Sequence, residues 1–169
     1  MHALLALGAP TYTLDREQWL PGSLQEVFAF YEDPRNLARI TPGRMGFRIV
    51  KMQPPTMGQG VVIDYRLTIF GLPARWRSLI EAWEPPRRFV DLQLSGPYIL
   101  WRHEHRFEEQ GGGVLVRDRV DYRLPFGPLG AVAHGLAVRR ELERIFDYRA
   151  QVTADLLGDG RVLRHAPAA

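Results

Sequence analysis

No cysteine occurs among the 169 residues, which removes disulfides, thiolate nucleophiles and cysteine-held zinc or iron–sulfur sites. A metal would have to rest on His, Asp or Glu. Lysine is nearly missing too: Lys51 stands alone, and every other cationic side chain is an arginine. Arg35, Arg39, Arg66, Arg75, Arg77, Arg102, Arg106, Arg117, Arg119 and Arg123 alternate with acids along the expected strands. They read as solvated outer faces rather than as one basic patch, so no nucleic-acid partner is expected. No apolar run approaches the length of a membrane span, so no integral membrane segment is expected. The opening MHALLALGAP has too short an apolar stretch and no cationic start for an export signal, which leaves the cytoplasm as the default compartment. The few serines and threonines lie in no nucleophile motif, and EQGGGV lacks the Gly-Lys-Ser/Thr ending of a phosphate loop.

What is present suits one domain with a real core: 46% of the residues are hydrophobic, and the chain is too short for two ordinary domains. TYTLDREQWLPGS alternates and ends in a Pro-Gly turn, the pattern of a strand. SLQEVFAFYEDP opens a short helix, with Ser23 as N-cap and Glu26 completing a capping box. RNLARI predicts a second short helix after Pro34, stopped by Pro42 and Gly43. Turn-forming clusters then punctuate residues 47 to 124, leaving room for six antiparallel strands. Ala131, Gly135, Val138, Leu142, Ile145, Arg149, Val152 and Leu156 recur at steps of four and three, one stripe of a long helix that Gly158 would end. The expected domain covers 11–157, with an N-terminal extension at 1–10 and a tail at 158–169. Its fold class is α+β, a curved antiparallel sheet of about seven strands wrapped around the C-terminal helix. The small Ala131 and Gly135 predict a cavity near the start of that helix. The early His134 reads as a surface histidine, and RRELER as a solvated helix face with Glu-Arg pairs.

The histidines of LWRHEHRFEE take their direction from the hairpin that follows. If Gly111 and Gly112 form a two-residue turn, Gln110 faces Gly113. Trp101, His103, His105 and Phe107 then pair with Tyr122, Val120, Asp118 and Val116 on one face, and Arg102 and Glu104 oppose Asp121 and Arg119 on the other. A slide by two in either direction sets like charges opposite each other, and an odd slip mixes the faces. The histidines therefore face inward, where polar groups need partners. The same parity puts Ile63, Tyr65, Leu67 and Ile69 opposite Ile80, Ser78, Trp76 and Ala74. In RFVDLQLSGPY the facing is undecided: Phe89, Asp91 and Gln93 compete with Val90, Leu92 and Leu94. An inward Asp91 requires a bulge near Gly96-Pro97. If Val90, Leu92, Leu94 and Leu79 face outward, they offer a surface for a homodimer or a docked partner.

The order of elements, with FVDLQLSGPYILWRHEHRFEE, VRDRVDYRLPFGPLG and RRELERIFDYR, resembles the helix-grip superfamily of START-type lipid-transfer domains, plant pathogenesis-related ligand binders and bacterial polyketide cyclase/dehydrase proteins, often labelled SRPBCC. The likeness spans roughly residues 11–157 and is greatest to a bacterial ligand-binding subgroup, some of whose relatives accompany dehydrogenase/epimerase domains. It implies a cavity between sheet and C-terminal helix that takes up apolar or aromatic ligands, inward-facing Asp91 and Gln93, and a possible dehydrogenase/epimerase-type partner. It carries over no fixed catalytic set.

Three chemistries fit the inward face. A metal site would use His103 and His105, whose side chains at i and i+2 stand roughly 6.5–7 Å apart on a strand, with Asp118 or Asp91 as third ligand. Neutral histidines satisfied by their neighbours are the simpler reading, and neither metal nor cofactor is expected. An acid/base site would set His105 against Asp118, with His103, Tyr65 or Tyr122 as proton donor, as a cyclase or dehydratase would need. A binding site asks least of the sequence: a pocket lined by Tyr65, Trp76, Asp91, Gln93, Trp101, His103, His105, Phe107, Asp118 and Tyr122. The expected function is binding of a hydrophobic small molecule by a carrier, sensor or accessory protein; the alternative is polyketide cyclase/dehydratase-type catalysis.

Overall fold

A computed structural model describes residues 9–158 and 161–163. Strand β1 (Tyr12–Pro21) leads into helices α1 (Leu24–Glu32) and α2 (Pro34–Arg39), and strands β2 (Arg48–Gln53), β3 (Val62–Ile69), β4 (Leu72–Glu84), β5 (Arg88–Ser95), β6 (Leu100–Gln110) and β7 (Gly113–Arg123) follow. The closing helix runs as α3 (Gly127–Ala133), a π-helical turn at His134–Val138 and α4 (Arg139–Leu157). The sheet order is β2-β3-β4-β5-β6-β7-β1-β8, antiparallel throughout. This is the α+β helix-grip architecture. Its eighth strand, β8 (Arg161–Leu163), pairs with β1 from within the stretch expected to be a tail. Residues 1–8 of the expected extension, and the tail apart from Gly158 and β8, lie outside the described residues. No described helix is long and apolar enough to cross a membrane.

Local chemistry sets the two short helices. Ser23 accepts from the Glu26 backbone N–H while the Glu26 carboxylate accepts from the Ser23 N–H, satisfying two amide groups that a helix start leaves free. Asp33 ends α1, and its side chain accepts from the Arg35 N–H to open α2 at Pro34. Leu24, Val27, Phe28 and Phe30 are the buried residues of α1. Phe28 meets Phe107 edge-on at 5.3 Å and Phe89 at 6.0 Å. That contact seats α1 on one end of the sheet.

The β6–β7 register is the one that charge alternation selects, from Trp101 opposite Tyr122 to Gln110 opposite Gly113. Gly111 and Gly112 turn the chain with φ of 60° and 80°, values that glycine adopts without a steric penalty. The outward ion pairs differ from those expected. Glu104 binds Arg88 at 2.6 Å and Arg106 at 2.7 Å rather than Arg119, and Arg102 reaches Glu81 at 2.9 Å. The neighbouring strands β5 and β4 supply Arg88 and Glu81, so the outer face is stitched across the sheet rather than along one hairpin.

Two further sheet expectations need correction. Tyr65 pairs with Trp76 and Ile63 with Ser78, a slide of two residues that keeps every side chain on its expected face. A two-residue turn at Phe70-Gly71 closes that hairpin. On β5, Phe89 and Asp91 face inward beside His105 and His103. The odd residue falls in the β5–β6 connection, where 93–101 lie between the paired Leu92 and Arg102, while the bulges lie between β4 and β5, at Arg77/Ser78 and Ile80/Ala82. Val90, though it faces outward, is fully buried, and Leu94 is the exposed member of the apolar set expected on that face.

The long helix departs from its expected stripe at both ends. Val138, Leu142 and Phe146 pack into the main core cluster with Trp76, Trp101 and Tyr122, whereas Leu156 is exposed. His134 is not on the surface: it is buried, stacked on Tyr12 at 3.4 Å and bonded to the Tyr122 hydroxyl at 2.8 Å. Rings therefore fill the start of the helix, and the described cavity wall on the long helix begins at Val138. The RRELER segment carries Arg139–Glu143 at 3.0 Å and Arg144–Glu141 at 3.9 Å, one and the other at helical spacing.

Candidate functional site

A cavity of about 170 Å³ lies between the concave face of β3–β6 and α4, bordered also by α1, α2 and the segment that follows them. Its wall is mostly apolar and aromatic, because the inward rows of four strands and one helix face converge there. Tyr65, Trp76, Asp91, Trp101, His103 and His105 line it, as do Tyr31, Tyr98 and Phe146. Four residues expected in the lining lie elsewhere. Phe107 is buried in a second cluster with Phe28 and Phe89, beneath α1. The Gln93 amide donates to the Tyr98 carbonyl at 2.7 Å and so fastens the β5–β6 connection. Tyr122 is turned toward His134, and Asp118 stands behind the histidines. The contributions of α1, α2 and α4 were missed, Arg149 among them; the signal was the helix stripe itself, which carries a cation at an inward position.

Asp118, His103, His105 and Asp91 form one cluster on three adjacent strands. Asp118 Oδ1 lies 3.1 Å from His103 Nε2, a hydrogen bond, and 2.7 Å from His105 Nδ1. The second contact is close but poorly directed, for His105 Nδ1 has no hydrogen-bond partner in line. The opposite ring nitrogens face Asp91: His105 Nε2 at 3.5 Å and His103 Nδ1 at 3.7 Å from the same oxygen. The two rings lean together, with centroids 3.8 Å apart, well inside the span expected of successive inward residues. Phe89 stacks on the His105 ring at 4.1 Å.

Burial and charge divide the protons among these groups. Burial alone would lower the pKa of His105, but Asp118 and Asp91 outweigh it and hold the ring above its usual value. His103 is lowered, by burial first and then by the charge on His105, with Asp118 opposing. Burial would raise both carboxylates, yet the histidines hold Asp118 and Asp91 below the ordinary range. The two carboxylates thus hold a more basic imidazole at His105 and a less basic one at His103. With Nε2–H donating to Asp118, neutral His103 keeps a lone pair on Nδ1. Arg149 adds a further positive charge to the wall.

The tyrosines are ordinary hydroxyl donors. The Tyr65 hydroxyl shares a hydrogen bond with Ser78 Oγ at 2.8 Å, and Trp76 Nε1 donates to the same oxygen at 3.1 Å. Burial raises the pKa of Tyr31, Tyr65 and Tyr98, and pushes Tyr122 up to about 12. Among the described residues, Asp91, His103 and His105 are grouped so that they could hold a divalent cation, their ligand atoms lying within 4.8 Å of one another, with Asp118 behind them on the far ring nitrogens. Such an ion would compete with the proton on His105.

Solved structures share this fold. Protein Ms6760 from Mycobacterium smegmatis superposes with a TM-score of 0.64 at 17% identity, covering 86% of this chain and 90% of that one. Ginseng major latex-like protein 151 from Panax ginseng gives 0.64 at 12% identity, covering 87% and 97%. Norcoclaurine synthase from Thalictrum flavum, in complex with dopamine and hydroxybenzaldehyde, gives 0.63 at 12% identity, covering 90% and 91%. No family model and no curated protein matches the sequence. At these identities the likeness is one of fold: the chain shares the helix-grip architecture of the latex-like protein and norcoclaurine synthase.

Proposed function

We propose that this protein binds an apolar, aromatic or lipid-like small molecule in the cavity between sheet and α4, as a carrier, sensor or accessory protein. The observation that carries this reading is the wall itself: Tyr65, Trp76, Tyr98, Trp101 and Phe146 surround the space, with only a few polar groups among them. Extraction and mass spectrometry of the purified protein should recover an apolar molecule, and a polyaromatic fluorescent probe should bind in competition with it. Leu142→Trp, which fills the cavity from α4, should abolish probe binding. Unchanged binding in that variant would sink the reading.

The histidine cluster favours a second reading, acid–base catalysis of the cyclase/dehydratase kind. His103 would act as base through Nδ1 and charged His105 as acid, both held by Asp118. A fold shared with norcoclaurine synthase accommodates either role. His103→Ala and Asp118→Asn should then abolish turnover of a polyketone while probe uptake persists. Loss of both together would assign the cluster to structure.

A further inference from the structure

We infer that Arg149 is the anchor for a carboxylate, so that the cavity selects apolar acids over their neutral counterparts. This rests on the binding reading above and names its ligand class.

The placement follows from the helix. Leu142, Ile145, Phe146 and Arg149 of α4 all border the cavity, and their spacing of three and four residues keeps them on one face. The guanidinium carbon sits 4.9 Å from the centroid of the Phe146 ring, a cation–π contact with another residue of the wall. Arg149 Nε is buried without a hydrogen-bond partner. Several other charged or polar groups of the wall are committed: Asp91 to the histidines, Glu141 to Arg44 at 2.7 Å, Tyr65 to Ser78, Asn36 to the Phe30 carbonyl and Thr41 to the Leu37 carbonyl. No carboxylate among the described residues forms an ion pair with Arg149.

A guanidinium in an apolar wall without an acceptor is unfavourable, and arginine cannot escape by deprotonation. Its planar fork matches a carboxylate in two-point geometry. An entering acid would accept from the fork while its body lies against Trp76, Trp101 and Phe146. The volume suits a compact body: about 170 Å³ is on the scale at which an apolar cavity takes up about one benzene-sized molecule.

The test is calorimetry at pH 7 with benzoic, 2-naphthoic and decanoic acids, each beside its methyl ester. At least one acid should bind about tenfold or more tightly than its ester, the scale of a hydrogen bond to a charged group. Arg149→Met should erase that preference while the ester still binds, and Arg149→Lys, which keeps charge but loses the fork, should retain only part of it. Far-ultraviolet circular dichroism establishes that each variant is folded. Esters binding as well as acids, or an acid preference that survives in Arg149→Met, would overturn the inference and leave the cavity reading standing. Failure of every acid and ester to bind would overturn both.

Discussion

Asp118 Oδ1 stands 2.7 Å from His105 Nδ1, at the back of the cavity wall, and both residues are buried. The pair faces across adjacent strands because Gly111 and Gly112 set the β6–β7 register. Asp118 also holds His103, so a single carboxylate touches two rings whose pKa values are shifted in opposite directions.

The rings should titrate apart. Long-range proton–nitrogen correlation spectra of labelled protein should place His105 above the unperturbed value of about 6.5 and His103 below it. Asp118→Asn removes one of the two charges that oppose burial, so the pKa of His105 should fall. Two rings titrating together near 6.5 would contradict the proton distribution drawn from the cluster.

The same pair makes stability depend on pH. A histidine whose folded pKa is raised contributes stability that is complete below its unfolded value and fades as pH rises through the folded one. A carboxylate with a depressed folded pKa contributes above its unfolded value and loses that contribution as pH falls. Both contributions coexist from about pH 4 to the folded pKa of His105. Asp118→Asn should therefore destabilise by about 3–5 kcal/mol near pH 6, the scale of breaking a buried pair. The loss should shrink at high pH, where His105 is neutral. Urea denaturation of both proteins near pH 6 and at a pH above the folded pKa of His105 gives the comparison.

Phe107 separates the face of a strand from the wall of a cavity. Its side chain points inward as alternation requires, but α1 covers that end of the sheet and Phe28 packs against it. Phe107→Ala should cost about 3–5 kcal/mol through the space it opens. Phe107→Leu should cost about 1 kcal/mol and leave affinity for a cavity probe unchanged. A large loss of affinity in the leucine variant would return Phe107 to the binding site.

This contrast marks how far the sequence could be read. The β6–β7 register was legible because Arg102, Glu104, Arg119 and Asp121 penalise every alternative slide. The β3–β4 hairpin offered no such penalty, since a slide of two leaves Ile63, Tyr65 and Leu67 on the same face, and its register came out displaced. Facing is a property of alternation; lining depends on where the helices lie over the sheet, which placed Phe107 and Tyr122 outside the cavity. Arg149 appeared in the stripe of the long helix, but only packing shows that its Nε is buried beside an apolar space. His134 looked like a surface residue because nothing near it in sequence announces Tyr12 and Tyr122 as its neighbours.

Phe70 offers a final test, at the rim of the cavity. With Gly71 it forms the β3–β4 turn at φ of 50° and 79°, and more than half of its surface is exposed. A left-handed conformation costs a non-glycine residue roughly 1–2 kcal/mol, least for asparagine, and Asn-Gly is the preferred pair for such a turn. Phe70→Asn should therefore raise stability by about 1 kcal/mol. The phenyl ring also borders the cavity, so the same variant should bind a polyaromatic probe more weakly. Thermal denaturation and probe titration of the one protein measure both effects. A gain in stability with undiminished affinity would remove Phe70 from the cavity rim as a contributor to binding, whereas opposite movements would show local strain retained for the sake of the ligand.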